Sequence, residues 1–303
     1  MSSEFVINLI YSVIRMATPL IYATLAAIIS KRAGTQNLAI EAIMLFSALM
    51  GALVSGYSQS LWLGLLGAIG AGVLISMFLA YMSMKLKANM TLTCISLNTL
   101  ADGLTIFITY VLLGAKGNTL NMKTMVFPDI EIPVIKDIPV LGQILSGHNL
   151  LTYMAFLMVG IVWILLFKTV FGLRIRAVGE GAKSAESVGI SVVRIQMGAF
   201  IMTGVIGALG GAFMSMGYLS WFSKGMVAGR GFIGVSASNL SAARPVLGMV
   251  VALLFGAIDA IAMTFQSFAL PAELLQMLPY LATIIGLTLV SYIDKKKASL
   301  SGN

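Results

Sequence analysis

Long apolar segments fill most of this 303-residue chain and limit what it can fold into. Eight of them reach roughly the 20 residues that a helix needs to cross the hydrocarbon core of a bilayer. They are residues 5–30, 38–57, 61–84, 90–114, 150–170, 195–219, 245–270 and 274–293. A ninth, residues 232–240, is too short to span alone. Because backbone groups in lipid must be hydrogen-bonded internally, every span is predicted to be helical, with the ninth tilted or broken and shielded by protein.

The composition is that of a polytopic membrane protein. Hydrophobic residues make up 59% of the chain and charged residues 10%, whereas charged residues make up about 25% of a soluble domain. The N-terminus lacks the short apolar core and small-residue cleavage site of a secretory signal, which predicts that the first span is retained. We expect an all-α integral membrane protein with one transmembrane domain over residues 1–303 and nine transmembrane segments.

Basic residues are divided unevenly between the predicted loops. With the N-terminus outside, thirteen of the nineteen Lys and Arg residues fall on the cytoplasmic side: Lys31, Arg32, Lys85, Lys87, Lys168, Arg174, Arg176, Lys183, Arg194, Arg244, Lys295, Lys296 and Lys297. The positive-inside rule therefore predicts an external N-terminus and a cytoplasmic C-terminus in the cell membrane. Arg230 falls on the external side, and loop 115–149 is an external cap or a simple connector. The net charge of +8 needs no nucleic acid partner, because anionic lipid headgroups and this orientation account for it.

Several kinds of chemical site are not predicted. The single cysteine, Cys94, lies in an apolar segment and has no partner for an intrachain disulfide. The single histidine, His148, belongs to no group with metal-ligand spacing, so no metal site is expected. The sequence has no GxxxxGK[ST] string, and its glycine-rich pieces are embedded in apolar sequence, where glycine lets helices pack closely. We therefore expect no cofactor in this chain and ATP chemistry, if any, on another chain.

A few polar residues open or interrupt the apolar spans. Asn37 and Glu41 are four residues apart, as are Asn98 and Asp102, so each pair shares a helix face. Asp259 lies alone in the middle of a later span. A charge at mid-bilayer costs about 2.5 to 3.5 kcal/mol on insertion scales, so these faces should look inward. Two interpretations stay open: a polar lining for a translocation path, or hydrogen bonds between helices that fix their packing.

Two stretches in different halves of the chain resemble one another weakly. GTQNLAIEAIMLFSAL from Gly34 and GRGFIGVSASNL from Gly229 both begin with glycine and polar residues and then enter small, apolar sequence. With the predicted orientation they enter the membrane from opposite sides. This relation is typical of an inverted repeat whose polar residues line a site at the repeat interface. Phe232, Ser236 and Asn239 of the second stretch are therefore added to the candidate path; chance similarity is the alternative.

The loop at residues 172–194 has the composition of a docking element. Its sequence GLRIRAVGEGAKSAESVGIS carries basic and acidic residues and small residues that would form one apolar face of a short helix. The alternative is an ordinary positive-inside loop.

Four sequence blocks resemble those of the permease subunit of binding-protein-dependent ABC importers, in the group that handles ribose-like sugars and nucleosides. They are TPLIYATLAAIISKRAGTQNLAIEAIMLFSA from Thr18, LNTLADGLT from Leu97, AGRGFIGVSAS from Ala228 and LPYLATIIGL from Leu278. The string at residues 172–191 is similar to the group's ATPase-coupling loop. The nucleoside (basic membrane protein) branch fits best, although Ala42, Gly181 and Ala182 depart from its usual pattern.

The resemblance implies a type II-like importer permease with divided labour. An external substrate-binding lipoprotein would deliver the solute, and two permease chains, in this branch commonly different paralogues, would form the path. Two cytoplasmic ATPase subunits would supply the ATP and Mg²⁺ chemistry. It implies no enzymatic activity for this chain. The coupling residues would be Arg176, Gly179, Glu180, Lys183, Ala185 and Gly189. The candidate path consists of Asn37, Glu41, Asn98, Asp102, Phe232, Ser236 and Asn239.

Other functions stay open at the level of sequence. A simple sugar or riboflavin would suit the same ABC group. An ion-coupled secondary transporter also uses broken helices and buried carboxylates. A membrane-embedded enzyme lacks a nucleophile and base, or metal ligands, at credible spacing.

Overall fold

The chain forms a helical bundle with a small cap at one end. The computed structural model describes residues 3–133, 140–266, 281, 284–286 and 288. Its elements are α1 Ser3–Arg32, α2 Ile40–Ser58, α3 Leu61–Ala80, α4 Met90–Leu113, β1 Asp129–Ile130, α5 Leu141–Leu145, β2 His148–Asn149, α6 Leu150–Lys168, α7 Val170–Glu180, α8 Ala182–Ser187, α9 Val192–Phe213, α10 Arg230–Leu240 and α11 Pro245–Gln266. A π-helical turn extends α3 over Tyr81–Lys85, and another extends α9 over Met214–Tyr218.

Seven helices within the described residues are long and apolar enough to cross a membrane. They are α1, α2, α3, α4, α6, α9 and α11, and they confirm seven of the predicted spans. The predicted short segment is also found, as the 11-residue helix α10. The predicted span at residues 274–293 lies largely outside the described residues. The count of nine segments and the inverted repeat therefore stay predictions.

Helix α1 is the centre of the bundle. It packs against α6, α9, α10 and α11, and its second half is buried on every side, as expected for a helix that is hydrophobic all round. Small residues allow close packing: a Cβ at Gly256 of α11 would lie 2.6 Å from that of Ala17, and one at Gly234 of α10 would lie 2.5 Å from that of Ala23. Tyr22, also buried, donates a hydrogen bond from its hydroxyl to the Leu151 carbonyl oxygen at 2.7 Å.

The two ends of the bundle differ. At one end, which we call the loop end, residues 115–133 and 140–149 lie over the helices. The Phe127 amide donates to the Met216 carbonyl oxygen at 2.8 Å, and the Asn149 side-chain amide donates to the Phe127 carbonyl oxygen. At the opposite end, which we call the α8 end, α7 and α8 lie beside the end of α1. Residues 123–128 of this loop have no regular secondary structure, and residues 134–139 are outside the described part.

His148 sits at the loop end, with its ring stacked on Tyr11 at 4.1 Å between centroids and its Nε2 atom 2.9 Å from the Ile144 carbonyl oxygen. Burial lowers the pKa of His148 below its ordinary value of 6.5; the nearby Arg15 lowers it further, while the Ile144 bond and Asp129 oppose the shift. The imidazole of His148 therefore binds a proton more readily in the unfolded chain than in the folded one. Its contribution to the free energy of unfolding is constant above the ordinary pKa and decreases as the pH drops below it.

We expect the thermal midpoint of the detergent-solubilised protein to decrease as the pH is lowered from 7 to 5. A His148→Phe variant keeps the stacking but cannot titrate, so its midpoint should change less over the same interval. Because the chain has one histidine, the difference between the two pH profiles isolates this ring. Identical profiles would contradict the burial-based shift.

Candidate functional site

Helix α2 begins deep inside the bundle rather than at its surface. After α1 ends at Arg32, the chain turns at Gly34 and runs extended to Leu38. Gly231 of α10 lies against Glu41, and one turn later Gly234 lies against Ala23 of α1. Ala23 is about 14 Å from Arg32 along the axis of α1, at 1.5 Å per residue. The first turn of α2 is therefore near the middle of the bundle.

Glu41 caps the N-terminus of α10. Its Oε1 atom accepts a hydrogen bond from the Gly229 amide, and its Oε2 atom accepts one from the Gly231 amide, both at 2.8 Å. The first amides of a helix have no partner within the helix and carry partial positive charge, so a carboxylate there satisfies and stabilises them. The approach needs glycine, because a Cβ at Gly231 would lie 2.5 Å from the Glu41 backbone nitrogen. This arrangement, the Glu41 latch, joins residues 188 and 190 positions apart.

Asn98 of α4 performs a similar task for α2. Its side-chain oxygen accepts from the Ala42 amide at 3.1 Å, and its side-chain nitrogen donates to the Leu38 carbonyl oxygen at 3.0 Å. Ala39, the residue at the N-cap position of α2, has no side-chain oxygen for this purpose. Asn98 was interpreted either as part of a path lining or as a source of hydrogen bonds between helices. It makes hydrogen bonds between helices, which hold the start of α2 against α4.

Residues 31–41, which we call the strap, include the turn between α1 and α2. Asn37 is fully buried in this strap. Its side-chain oxygen accepts from the Ala39 amide at 2.8 Å, and its backbone amide donates to the Ser30 hydroxyl at 3.3 Å. The side-chain nitrogen has no hydrogen-bond partner. The structure therefore holds the strap in shape through Asn37 and does not bring this residue to an open surface.

Arg230 joins a group of charges inside the bundle. The first residue of α10, it interacts electrostatically with Glu41 of α2 and Asp259 of α11. Its guanidinium also donates to the Val227 carbonyl oxygen at 3.2 Å. The sequence placed Arg230 with the external loops and gave Asp259 no polar neighbour on its own helix. The first expectation is corrected, because α10 begins within the bundle and brings its arginine to the level of the acids. Asp259 gains this charged partner from α10 and not from its own helix.

Helix α10 leaves one face open. Phe232 is 43% exposed, and Ser236 and Asn239 are partly exposed, whereas Ile233, Gly234 and Ala237 are buried. The three open positions are four and three residues apart, so they form one stripe, which we call the α10 stripe. At its α8 end, the Asn239 side-chain oxygen accepts from the Lys31 ammonium group at 2.7 Å. All three candidate path residues of α10 thus share one accessible surface.

Helix α4 has two different flanks. Thr99 and Asp102 are exposed on one flank, and Asp102 is close enough to Glu41 to interact with it electrostatically. The other flank carries the exposed or half-exposed Leu100, Leu104 and Phe107. Of the two polar pairs predicted on shared helix faces, Asn98 and Asp102 therefore separate: the first points into α2, and the second lies open.

The candidate coupling residues do not all lie on the surface of α7 and α8. Glu180, Lys183 and Gly189 are exposed, Arg176 is half-buried with its guanidinium 5.1 Å from the Phe167 ring, and Ala185 is buried. A Cβ at Gly179 would collide with the Arg32 carbonyl oxygen. The small size of Gly179 and Ala185 is thus used within the chain. Val188, part of the predicted apolar face although not of the coupling set, is 75% exposed at the end of α8 and offers an apolar side chain to a partner.

Within the described residues, no three His, Cys, Asp or Glu side chains form a group that would hold a metal ion. Of the acids in the bundle, Glu41 caps α10, Asp259 interacts with Arg230, and Asp102 is exposed on α4. No nucleophile with an adjacent base is among them. The arrangement can therefore bind and orient polar groups, and it can change shape where helix ends meet.

Comparisons with known proteins agree with this architecture. Relatives include the guanosine ABC transporter permease protein NupQ of Bacillus subtilis, 32% identical over 93% of this chain and 92% of that protein. A provisionally named glucose ABC transporter permease protein, TsgC13 of Haloferax volcanii, is 31% identical over 89% of this chain and 81% of that protein.

A solved structure described as an ABC transporter of the metal-chelate type in an inward-facing conformation matches the fold. Its TM-score is 0.51 and its sequence identity 16%, over 95% of this chain and 85% of that one. Residues 9–287 match the protein family described as the branched-chain amino acid transport system / permease component. The chain belongs to this permease family.

Proposed function

We propose that the chain is the permease subunit of an ATP-driven ABC importer that moves a nucleoside or a related small polar solute across the cell membrane. The family assignment and the guanosine and glucose permeases among its relatives support this proposal. ATP and Mg²⁺ bind to separate ATPase subunits, and ATP is hydrolysed there. The N-terminus is external and the C-terminus cytoplasmic, which makes the loop end external and the α8 end cytoplasmic.

The observation that carries the proposal is the α10 stripe. An accessible aromatic ring at Phe232 is followed by a hydroxyl at Ser236 and an amide at Asn239, on one face of a helix within the bundle. An aromatic face and neutral hydrogen-bonding groups suit a neutral ring-containing solute such as a nucleoside. Neutral partners also keep binding weak enough for release, as conduction requires.

The exposed carboxylate of Asp102 supports the proposal that a second permease chain is present. A lipid-facing charge in the middle of a span costs about 2.5 to 3.5 kcal/mol on insertion scales. The Thr99 and Asp102 flank of α4 therefore faces water or protein. We propose that it faces the path between two permeases, the second a paralogue, with a substrate-binding lipoprotein at the loop end.

Contacts around α10 support a route from the ATPase to this path. At the end of α10, the Arg32 guanidinium donates to the carbonyl oxygens of Ala243 and Ala242 at 2.9 and 3.1 Å. At its start, Glu41 holds the first amides. Residues 31–41 thus grip both ends of α10, and Gly179 of α7 rests on this strap. A shift of α7 and α8 against a docked ATPase would move the strap and α10 together.

Uptake by cells tests the function. Cells lacking this chain, with or without a plasmid copy, are given labelled guanosine, labelled glucose or labelled riboflavin. We expect the plasmid copy to restore uptake of the nucleoside, with unlabelled nucleosides competing and vanadate, an ABC ATPase inhibitor, blocking it. Restoration of glucose uptake alone would support the sugar alternative. Uptake abolished by a proton ionophore while cellular ATP is held constant would support an ion-coupled carrier instead.

Cysteine labelling tests the α10 stripe. In a Cys94→Ala background, a cysteine at Ser236 should react with a water-soluble thiol reagent because this side chain is partly exposed. A cysteine at Ser238 provides the matched control, since Ser238 lies on the same helix and is fully buried. We expect labelling at Ser236 to change with the ATPase state and to be reduced by substrate. Equal labelling at both positions would contradict the open stripe.

A further inference from the structure

An apolar groove runs between α3 and α4, which are consecutive in the chain but make few contacts. Its deep part has a volume of about 680 Å³ and is lined by Phe46, Leu74, Phe78, Leu97, Leu100 and Leu104. This volume falls in the range of ligand-binding pockets, which is about 300 to 1,000 Å³. Leu74 is 70% exposed, so the groove is open at this residue.

The groove continues to one end of the two helices. A second cavity of about 370 Å³ shares Phe78, Leu97 and Leu100 with the first and adds Met82, Ala88 and Asn89. These added residues belong to the π turn and to the connection that joins α3 to α4. The two cavities therefore form one channel that leads from the connection at residues 86–89 into the bundle's apolar zone.

The mouth of the channel is positively charged. Lys85 ends the π turn, Lys87 lies in the connection next to the lining residue Ala88, and both lysines are exposed. No acidic residue accompanies them in the sequence, which has no Asp or Glu between Glu41 and Asp102. An apolar slot with two exposed lysines on the neighbouring turn is complementary to a molecule with an apolar chain and an anionic head.

The channel is separate from the proposed path. It lies on the Leu100 and Leu104 flank of α4, whereas Asp102 is on the other flank. Gly286, one of the described residues near the C-terminus, lies beside α10 and not beside this channel. A Cβ at Gly286 would lie 3.4 Å from a methyl group of Leu240.

We propose that this channel binds an anionic phospholipid, with one acyl chain between α3 and α4 and the phosphate against Lys85 and Lys87. Lipid is the surrounding solvent at this face, and basic residues near the membrane surface attract anionic headgroups. The two lysines select the headgroup, and Phe78, Leu97 and Leu100 hold the chain. The proposal rests on the groove and its charges and is independent of the solute transported.

Lipid retention measured by native mass spectrometry tests the proposal. The full-length protein is purified with its partner subunits, reconstituted in nanodiscs with equal phosphatidylglycerol and phosphatidylcholine, and released into the gas phase. We expect preferential retention of phosphatidylglycerol. Replacing both lysines, Lys85→Gln with Lys87→Gln, should lower that preference about 25-fold, since each basic residue near an anionic surface contributes about a factor of five. Lys116→Gln with Lys224→Gln, at the loop end, is the matched control and should leave the preference unchanged.

A second variant tests the acyl-chain part. Leu100→Trp places a larger side chain in the channel and should reduce retention of both lipids, with an unchanged thermal midpoint showing that the bundle is intact. Equal retention of the two lipids by the unaltered protein, or an unchanged preference in the double Lys85 and Lys87 variant, would overturn the proposal. A cysteine at Leu100 that crosslinks to the second permease chain would overturn it as well, because the groove would then be a protein interface.

Discussion

Gly231→Ala is expected to abolish most transport while the chain still inserts into the membrane. The added Cβ would lie 2.5 Å from the Glu41 backbone nitrogen and 2.7 Å from its Cα atom. Backbone atoms cannot rotate away, so α10 must shift from α2 and the Glu41 latch must lengthen. Overpacking of this kind typically costs about 1 to 3 kcal/mol, and uptake per inserted chain should fall at least about tenfold.

Gly70→Ala in α3 is the matched control, because a Cβ there meets nothing within 4 Å. Both variants make the same chemical change within a helix of the bundle. Uptake is compared after normalising to the amount of protein in the membrane, measured by immunoblot. Equal uptake by the two variants would show that transport does not depend on close contact between α2 and α10.

Glu41→Gln examines the same latch without adding bulk. A carboxylate offers two acceptor oxygens, whereas the amide offers one, so either Gly229 or Gly231 loses its partner. Hydrogen bonds to charged groups contribute about 1.5 to 3 kcal/mol. We expect a marked fall in uptake with normal binding of solute to the separate receptor. Unchanged uptake would show that the charge is not needed to hold α10.

Gly179→Ala is expected to separate ATPase binding from transport. A Cβ at this position would collide with the Arg32 carbonyl oxygen and lie 3.1 Å from the Gly34 nitrogen. Helix α7 must then move off the strap at residues 31–41, while the exposed tip of α8 with Val188 is unaltered. The variant should copurify with the ATPase, yet uptake should fall at least about tenfold on the same packing estimate.

Gly181→Ala, two residues away, is the control. A Cβ there meets the Ser184 hydroxyl at 3.4 Å, an ordinary contact distance, and should be tolerated. Loss of ATPase copurification in the Gly179 variant would instead assign this glycine to the docking surface, as first expected from the sequence. Normal uptake would contradict both roles.

The elements that were predictable are those whose signal is local. Seven apolar spans were read correctly because burial in lipid requires some 20 consecutive apolar residues. The short helix was found because GRGFIGVSASNL is too brief to span. Its stripe of Phe232, Ser236 and Asn239 was predictable as a set, because residues three and four apart share a helix face.

The contacts between distant residues were not predictable. Nothing near Glu41 in the sequence indicates that its carboxylate reaches the amides of Gly229 and Gly231. Arg230 was assigned to the wrong surroundings because the sequence does not show that α10 starts inside the bundle. The contact of Gly179 with an ATPase stays a prediction, since this residue is exposed. Its close approach to Arg32 was not predictable, because a glycine pattern does not show which neighbour needs the space.

The distance along the chain between Glu41 and its amide partners has a consequence for biosynthesis. A membrane protein is inserted as it is translated, and Glu41 is made 188 residues before Gly229. During that interval the carboxylate enters the membrane region with α2 and has no α10 to cap. Helices α1 and α2 therefore complete their packing only after the ribosome has delivered α10, so a late part of the polypeptide finishes the assembly of its beginning.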